Sequence, residues 1–109
     1  MEELSKVDKF VIGTLWQDYF GAIYYSSGKE SPEQFLAREL LRGVIEEGDR
    51  RFNKVYQEVI KSLQKLKDSW VIEISGYEIK LTIYGQQLAK EISKEELQKI
   101  KAELSKGRI

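Results

Sequence analysis

Between Val55 and Leu81 the apolar residues change their period from helical to two, and this switch limits the open folds more than any other feature of the chain. Val55, Val59, Ile60, Leu63 and Leu66 keep the spacing of one helix face, which predicts a helix from about Arg50 or Asn53 to Lys67. Its outward stripe is Lys54, Gln57, Lys61, Gln64 and Lys65. Apolar residues then alternate: Trp70, Ile72 and Ile74 with Val71 and Glu73, followed by Tyr77, Ile79 and Leu81 with Glu78 and Lys80. Ser75-Gly76 separates the two runs as a two-residue loop, with glycine available for positive φ. That loop sets Trp70 opposite Leu81, Ile72 opposite Ile79 and Ile74 opposite Tyr77, all on one face, with Glu73 opposing Glu78 on the solvent side.

The flanking segments read as helices. Val11, Ile12, Leu15, Trp16, Tyr19, Phe20, Ile23 and Tyr24 make one broad apolar stripe, predicting a first helix from about Asp8 to Ser26. Its aromatics suit core or dimer packing better than base stacking, which usually comes from sheet or loop platforms. Ser26-Ser27-Gly28-Lys29-Glu30 reads as a turn. Ser31-Pro32-Glu33-Gln34 then starts a second helix, with Ser31 and Gln34 able to cap each other's amides and Pro32 at the first helical position. Phe35, Leu36, Leu40, Leu41, Val44 and Ile45 form its buried face, with Gly48 as a stop and Asp49 as a cap for the third helix. The interval from Ser31 to Asn53 is long for a helix-turn-helix, so this helix is either extended or broken near Arg42-Gly43. A further helix begins near Ile83 with Leu88, Ala89 and Ile92, and Ser93-Lys94-Glu95-Glu96 starts a last one carrying Leu97, Ile100 and Leu104.

At 109 residues the chain fits one domain, with a core over about 8–92 and a C-terminal helix over about 93–106. It is 41% hydrophobic and 33% charged, enough apolar surface for a core. Cysteine and histidine are both absent, which excludes disulfides, thiolate metal sites and any histidine general base. No cofactor or metal is expected. Glu46, Glu47 and Asp49 form an acidic cluster without the ligand spacing of a calcium loop, and read as a solvated helix end. Phosphate loops and nucleophile elbows are missing too, so the chain is not expected to be an enzyme. No apolar run reaches the about 18 residues of a membrane span, and the acidic start Met1-Glu2-Glu3-Leu4 argues for a cytoplasmic protein. The many lysines and glutamates are a composition similar to that of thermophile proteins.

Eighteen basic residues balance eighteen acidic ones, yet they are not mixed evenly. Residues 50–67 hold Arg50, Arg51, Lys54, Lys61, Lys65 and Lys67 against Glu58 alone, a net charge of +5. Residues 28–49 hold three basic side chains against six acidic ones, a net charge of −3. Positive charge is therefore concentrated on one element, as a nucleic-acid-binding helix requires.

From Asp18 to Ala89 the order of helix, capped helix, basic helix, tight hairpin and helix resembles the winged helix-turn-helix superfamily. The similarity is to small archaeal and bacterial transcription regulators of the PadR-like and Lrs14-like kind. Three stretches carry it: Ser27 through Leu40 as the lead-in to the second helix, Val55 through Leu66 as the recognition helix, and Tyr77 through Ala89 as the second wing strand. That last stretch runs into a closing helix through Leu81-Thr82-Ile83-Tyr84-Gly85, a leucine-threonine-x-x-glycine start. The resemblance implies an α+β, mostly helical fold with a two-stranded wing and a C-terminal helical extension. It further implies double-stranded DNA as partner, the third helix in the major groove and the hairpin over flanking backbone. On that reading Arg50, Arg51, Lys54, Lys61 and Lys80 meet phosphate, and Asn53, Gln57 and Gln64 meet base edges. A homodimer is expected, joined through the tail helix or the aromatic first helix. The alternative is a protein-docking module on the same scaffold, favoured by net neutrality and the acidic wing.

Overall fold

The computed structural model describes residues 3–25 and 29–109. Among them the chain forms α1 (Lys6–Tyr19), β1 (Ala22–Tyr24), α2 (Pro32–Leu41), α3 (Phe52–Asp68), β2 (Ile72–Ser75), β3 (Glu78–Leu81), α4 (Ile83–Ala89) and α5 (Lys94–Ser105). The fold is α+β and mostly helical, with an antiparallel three-stranded sheet ordered β1-β3-β2. The turn expected at Ser26, Ser27 and Gly28 lies outside the described residues.

A reciprocal cap starts α1. The Ser5 hydroxyl accepts the Asp8 amide at 3.1 Å, and the Asp8 carboxylate accepts the Ser5 amide at 2.9 Å. Val7, Phe10, Val11, Ile12 and Leu15 fill the core from this helix. The helix stops at Tyr19 and does not run to Ser26, because Phe20 and Gly21 take positive φ of 57° and 94° and the Gly21 amide turns back to the Leu15 carbonyl. Ile23 and Tyr24, which fit a helical stripe equally well, instead extend along β3, with Ile23 opposite Ile79. A local pattern was open to both periods, and the neighbouring strand decided it.

Ser31 and Gln34 cap α2 as their spacing predicts. This helix breaks at Arg42-Gly43, where Arg42 is extended and Gly43 has φ 81°, and residues 42–51 form the link. Glu33 in the first turn of α2 reaches Lys67 in the last turn of α3 at 3.6 Å, while Leu41 and Phe52 line one cavity at the opposite ends of the same helices. The two helices therefore run back along each other. Asp49 does not cap α3 with its side chain; it grips Arg51 instead.

At the end of α3 the Val71 amide bonds the Leu66 carbonyl and the Trp70 amide bonds that of Lys67, a Schellman stop with Trp70 in the left-handed position at φ 61°. A side chain there costs about 1–2 kcal/mol over glycine. Trp70 therefore sits outside the ladder, three-quarters exposed, and does not face Leu81. The hairpin pairs Ile72 with Leu81, Glu73 with Lys80, Ile74 with Ile79 and Ser75 with Glu78, a register two residues from the expected one. Gly76, at φ 59°, occupies the first loop position, and Tyr77 the second. A two-residue turn of this hand wants positive φ at its first residue, which moves the loop by one position. The slip of two leaves Ile72, Ile74, Ile79 and Leu81 on the core face.

Thr82 and Gly85 join hairpin to α4. The Thr82 hydroxyl accepts the Gly85 amide at 3.0 Å and donates to the Trp70 and Val71 carbonyls. A Cβ on Gly85 would collide with the Val71 carbonyl oxygen, so only glycine lets α4 sit this close. Finally, α5 lays Leu97, Ile100 and Leu104 against the core and is tied to α1 through Lys9–Glu96, Lys6–Glu103 and Lys101–Asp18. Its stripe is covered within the chain, so it does not offer the dimer surface expected of a lone tail helix.

Candidate nucleic-acid interface

The core-facing positions of α3, namely Val55, Val59, Ser62, Leu63 and Leu66, are buried. Its other side presents Asn53, Lys54, Gln57, Lys61 and Gln64, all exposed, as one continuous helical face. Amide and ammonium groups alone fill that stripe, with Glu58 half-buried at its margin. Arg50 is exposed just before the helix, and neither it nor Lys54 has an ion-pair partner among the described residues. Lys61 lies 3.5 Å from Glu58 but stays about three-quarters exposed, a loose surface pair that a phosphate could replace.

The remaining cations of the segment are committed elsewhere. Arg51 makes a two-pronged contact with Asp49 at 2.9 and 3.0 Å and donates to the Lys106 carbonyl at 3.2 Å, fastening the C-terminal segment to the start of α3. The Arg51 guanidinium holds the exposed Asp49 carboxyl down at about 2. Lys67 pairs with Glu33. Lys65 lies 2.6 Å from Asp8, which is almost wholly buried and also accepts the Ser62 hydroxyl at 2.6 Å. Burial pushes the Asp8 carboxyl up, but the hydrogen bonds from Lys65, Ser62 and the Ser5 amide outweigh it and hold the group below its ordinary value of 3.8. The positive charge concentrated over residues 50–67 is thus narrowed to Arg50, Lys54 and Lys61, because Arg51, Lys65 and Lys67 brace the fold.

Lys80 stands apart from the stripe. It projects from the sheet face turned away from buried Ile79 and Leu81, 3.9 Å from Glu73 and 3.8 Å from Glu78. Glu73 and Glu78 do not oppose each other as the expected register had them, since Glu73 faces Lys80 and Glu78 faces Ser75. Tyr24 adds to this face, and its hydrogen bond with Glu78, then the Glu78 charge, raises the Tyr24 hydroxyl above its ordinary value of 10.0.

Five exposed apolar side chains are not foreseen by the sequence pattern: Phe20, Tyr24, Trp70, Tyr77 and Ile83. Helical or alternating period assigns Phe20, Tyr24, Trp70 and Tyr77 to an apolar face, whereas the left-handed caps, the outer sheet face, the hairpin loop and the α4 start turn the five outward. Among the described residues, no group of acidic side chains comes together that could hold a metal ion. No helix among the described residues is long and apolar enough to cross a membrane. Comparison with family models, with curated proteins and with solved structures returned no match.

Proposed function

We propose that this chain is a winged helix-turn-helix protein that binds double-stranded DNA as a transcriptional regulator, with α3 in the major groove, β2–β3 as the wing and two copies per site. The observation that carries the reading is the exposed face of α3, where Asn53, Gln57 and Gln64 alternate with Lys54 and Lys61 and the one nearby carboxylate, Glu58, is half-buried at the margin. Amide side chains can pair two-pronged with adenine, while lysines anchor on phosphate. Exposed Arg50 extends the anion-binding face to the helix start. The ten-position link 42–51 is longer than the roughly three- or four-residue turn of a simple helix-turn-helix, so the angle of α3 in the groove is this protein's own.

A gel shift with random-sequence duplex at low salt tests the reading. The unmodified chain retards the duplex at micromolar protein, and Lys54→Glu with Lys61→Glu weakens that at least about tenfold, since both cations lie on the docking face. Retardation equal in the double variant would overturn it.

A second reading, a docking module for protein, is favoured by a separate observation. Half of the cations in 50–67 are consumed in bracing pairs, and Phe20, Trp70 and Ile83 face water. Absence of any shift at micromolar protein would favour it.

A further inference from the structure

Phe20, Trp70 and Ile83 come from three separate elements and converge on one end of the sheet. The Leu81 amide bonds the Gly21 carbonyl at 2.8 Å, and the Thr82 amide bonds the Val71 carbonyl at 3.0 Å. The Phe20-Gly21 and Trp70-Val71 backbones therefore flank the Leu81-Thr82 step on its two sides, about one strand spacing of 5 Å away. Phe20 is 90% exposed, Ile83 77% and Trp70 74%. Together they leave on the order of 500 Å² of apolar side chain in water, the upper range for a monomer surface.

Backbone conformation singles out the same residues. Phe20 and Trp70 are the two non-glycine residues with positive φ among those described, a conformation in which glycine would be cheaper. A large aromatic ring held there and left in water gives the folded monomer nothing in return. Strain of this kind persists where a contact outside the chain uses it.

We infer that this end of the sheet is the face through which two copies of the chain associate. The arrangement suits a second copy because one exposed aromatic stands on each side of the strand that leads to Ile83. A two-fold axis beside Ile83 lays Phe20 of each copy against Trp70 of the other, the self-complementary contact a closed dimer needs. The apolar centre with a polar rim approaches the roughly 800 Å² that each partner gives a standard interface. Formal net charge is zero, so like copies do not repel. The tail helix, its own stripe covered, does not compete for this role. The hairpin turn lies at the other end of the sheet, and the Asn53–Gln64 face of α3 stays open. This face supplies the dimer that the DNA reading assumes, and its role does not depend on what α3 binds.

Sedimentation equilibrium of the full chain without DNA tests it. The unmodified chain is expected at twice its monomer mass by tens of micromolar, and Trp70→Gly and Phe20→Gly each raise the dimer dissociation constant at least about tenfold, the loss of one anchoring aromatic. Glycine relieves the positive φ at both positions, so at dilutions where the unmodified chain is monomeric the thermal midpoint of either variant is not lowered. Dilution of the unmodified chain gives a check that needs no variant: Trp70 passes from apolar contact into water, and tryptophan emission shifts to the red. A monomer at all concentrations, or a dimer indifferent to both substitutions, overturns the inference. A monomer that retards duplex DNA removes this face and leaves the DNA reading; a dimer that ignores DNA does the reverse.

Discussion

Asp8 does three things with one carboxylate: it caps α1 through the Ser5 amide, holds the Ser62 hydroxyl and neutralises Lys65. It is thereby the polar link between α1 and the inner side of α3. Its folded pKa lies below the ordinary 3.8, so its contribution is complete above that value and disappears as pH falls through it toward the folded value. Asp8→Asn is expected to cost about 2 kcal/mol at pH 7, less than a fully buried pair because Lys65 keeps a third of its side chain in water. Urea unfolding of both proteins checks this. The gap between them should narrow as pH falls below 3.8 toward the lowered folded value, as Asp8 takes up a proton; an unchanged gap would show that the charge is not what Asp8 contributes. Neither Lys65 nor Ser62 can be assigned to Asp8 from sequence, because their partner lies more than fifty positions away. Helical spacing alone therefore places Lys65 among the outward cations.

At the scale of elements, the joint between hairpin and α4 is the most constrained contact in the fold. Gly85→Ala drives a methyl group into the Val71 carbonyl, which also accepts from Thr82. The expected loss is about 2–3 kcal/mol, the cost of overpacking a rigid backbone contact. Gly48→Ala serves as control, since a Cβ there meets nothing within 4 Å. Equal thermal midpoints for the two variants would contradict the assigned role of Gly85. The Leu81-Thr82-Ile83-Tyr84-Gly85 motif is visible in the sequence because both its threonine and its glycine act locally. So are α3 and the hairpin, whose periods are long and distinct. The hairpin register is not, since a slip of two keeps every side chain on its own face. The end of α1 is hidden for a related reason, because Ile23 and Tyr24 satisfy either period until β3 is present to pair with them.

For the molecule as a whole, charge is divided by task. Arg51, Lys65 and Lys67 tie α3 to the C-terminal segment, α1 and α2, while Arg50, Lys54 and Lys61 remain for a partner. Lys80 is held between two carboxylates on the outer sheet face. Net neutrality is the result of this division, and it does not weigh against an exposed cationic face. On the proposed reading three cations on and beside α3 meet phosphate, and counterion release converts that number into a slope. Duplex DNA affinity measured across a series of salt concentrations should fall on a log–log plot with a slope of about −3 per bound chain, from roughly 0.9 per phosphate neutralised. A slope near zero would mean that the α3 face does not meet the DNA backbone, and a slope of about −6 would mean that the bracing ion pairs open on binding; either would contradict the division of charge proposed for α3.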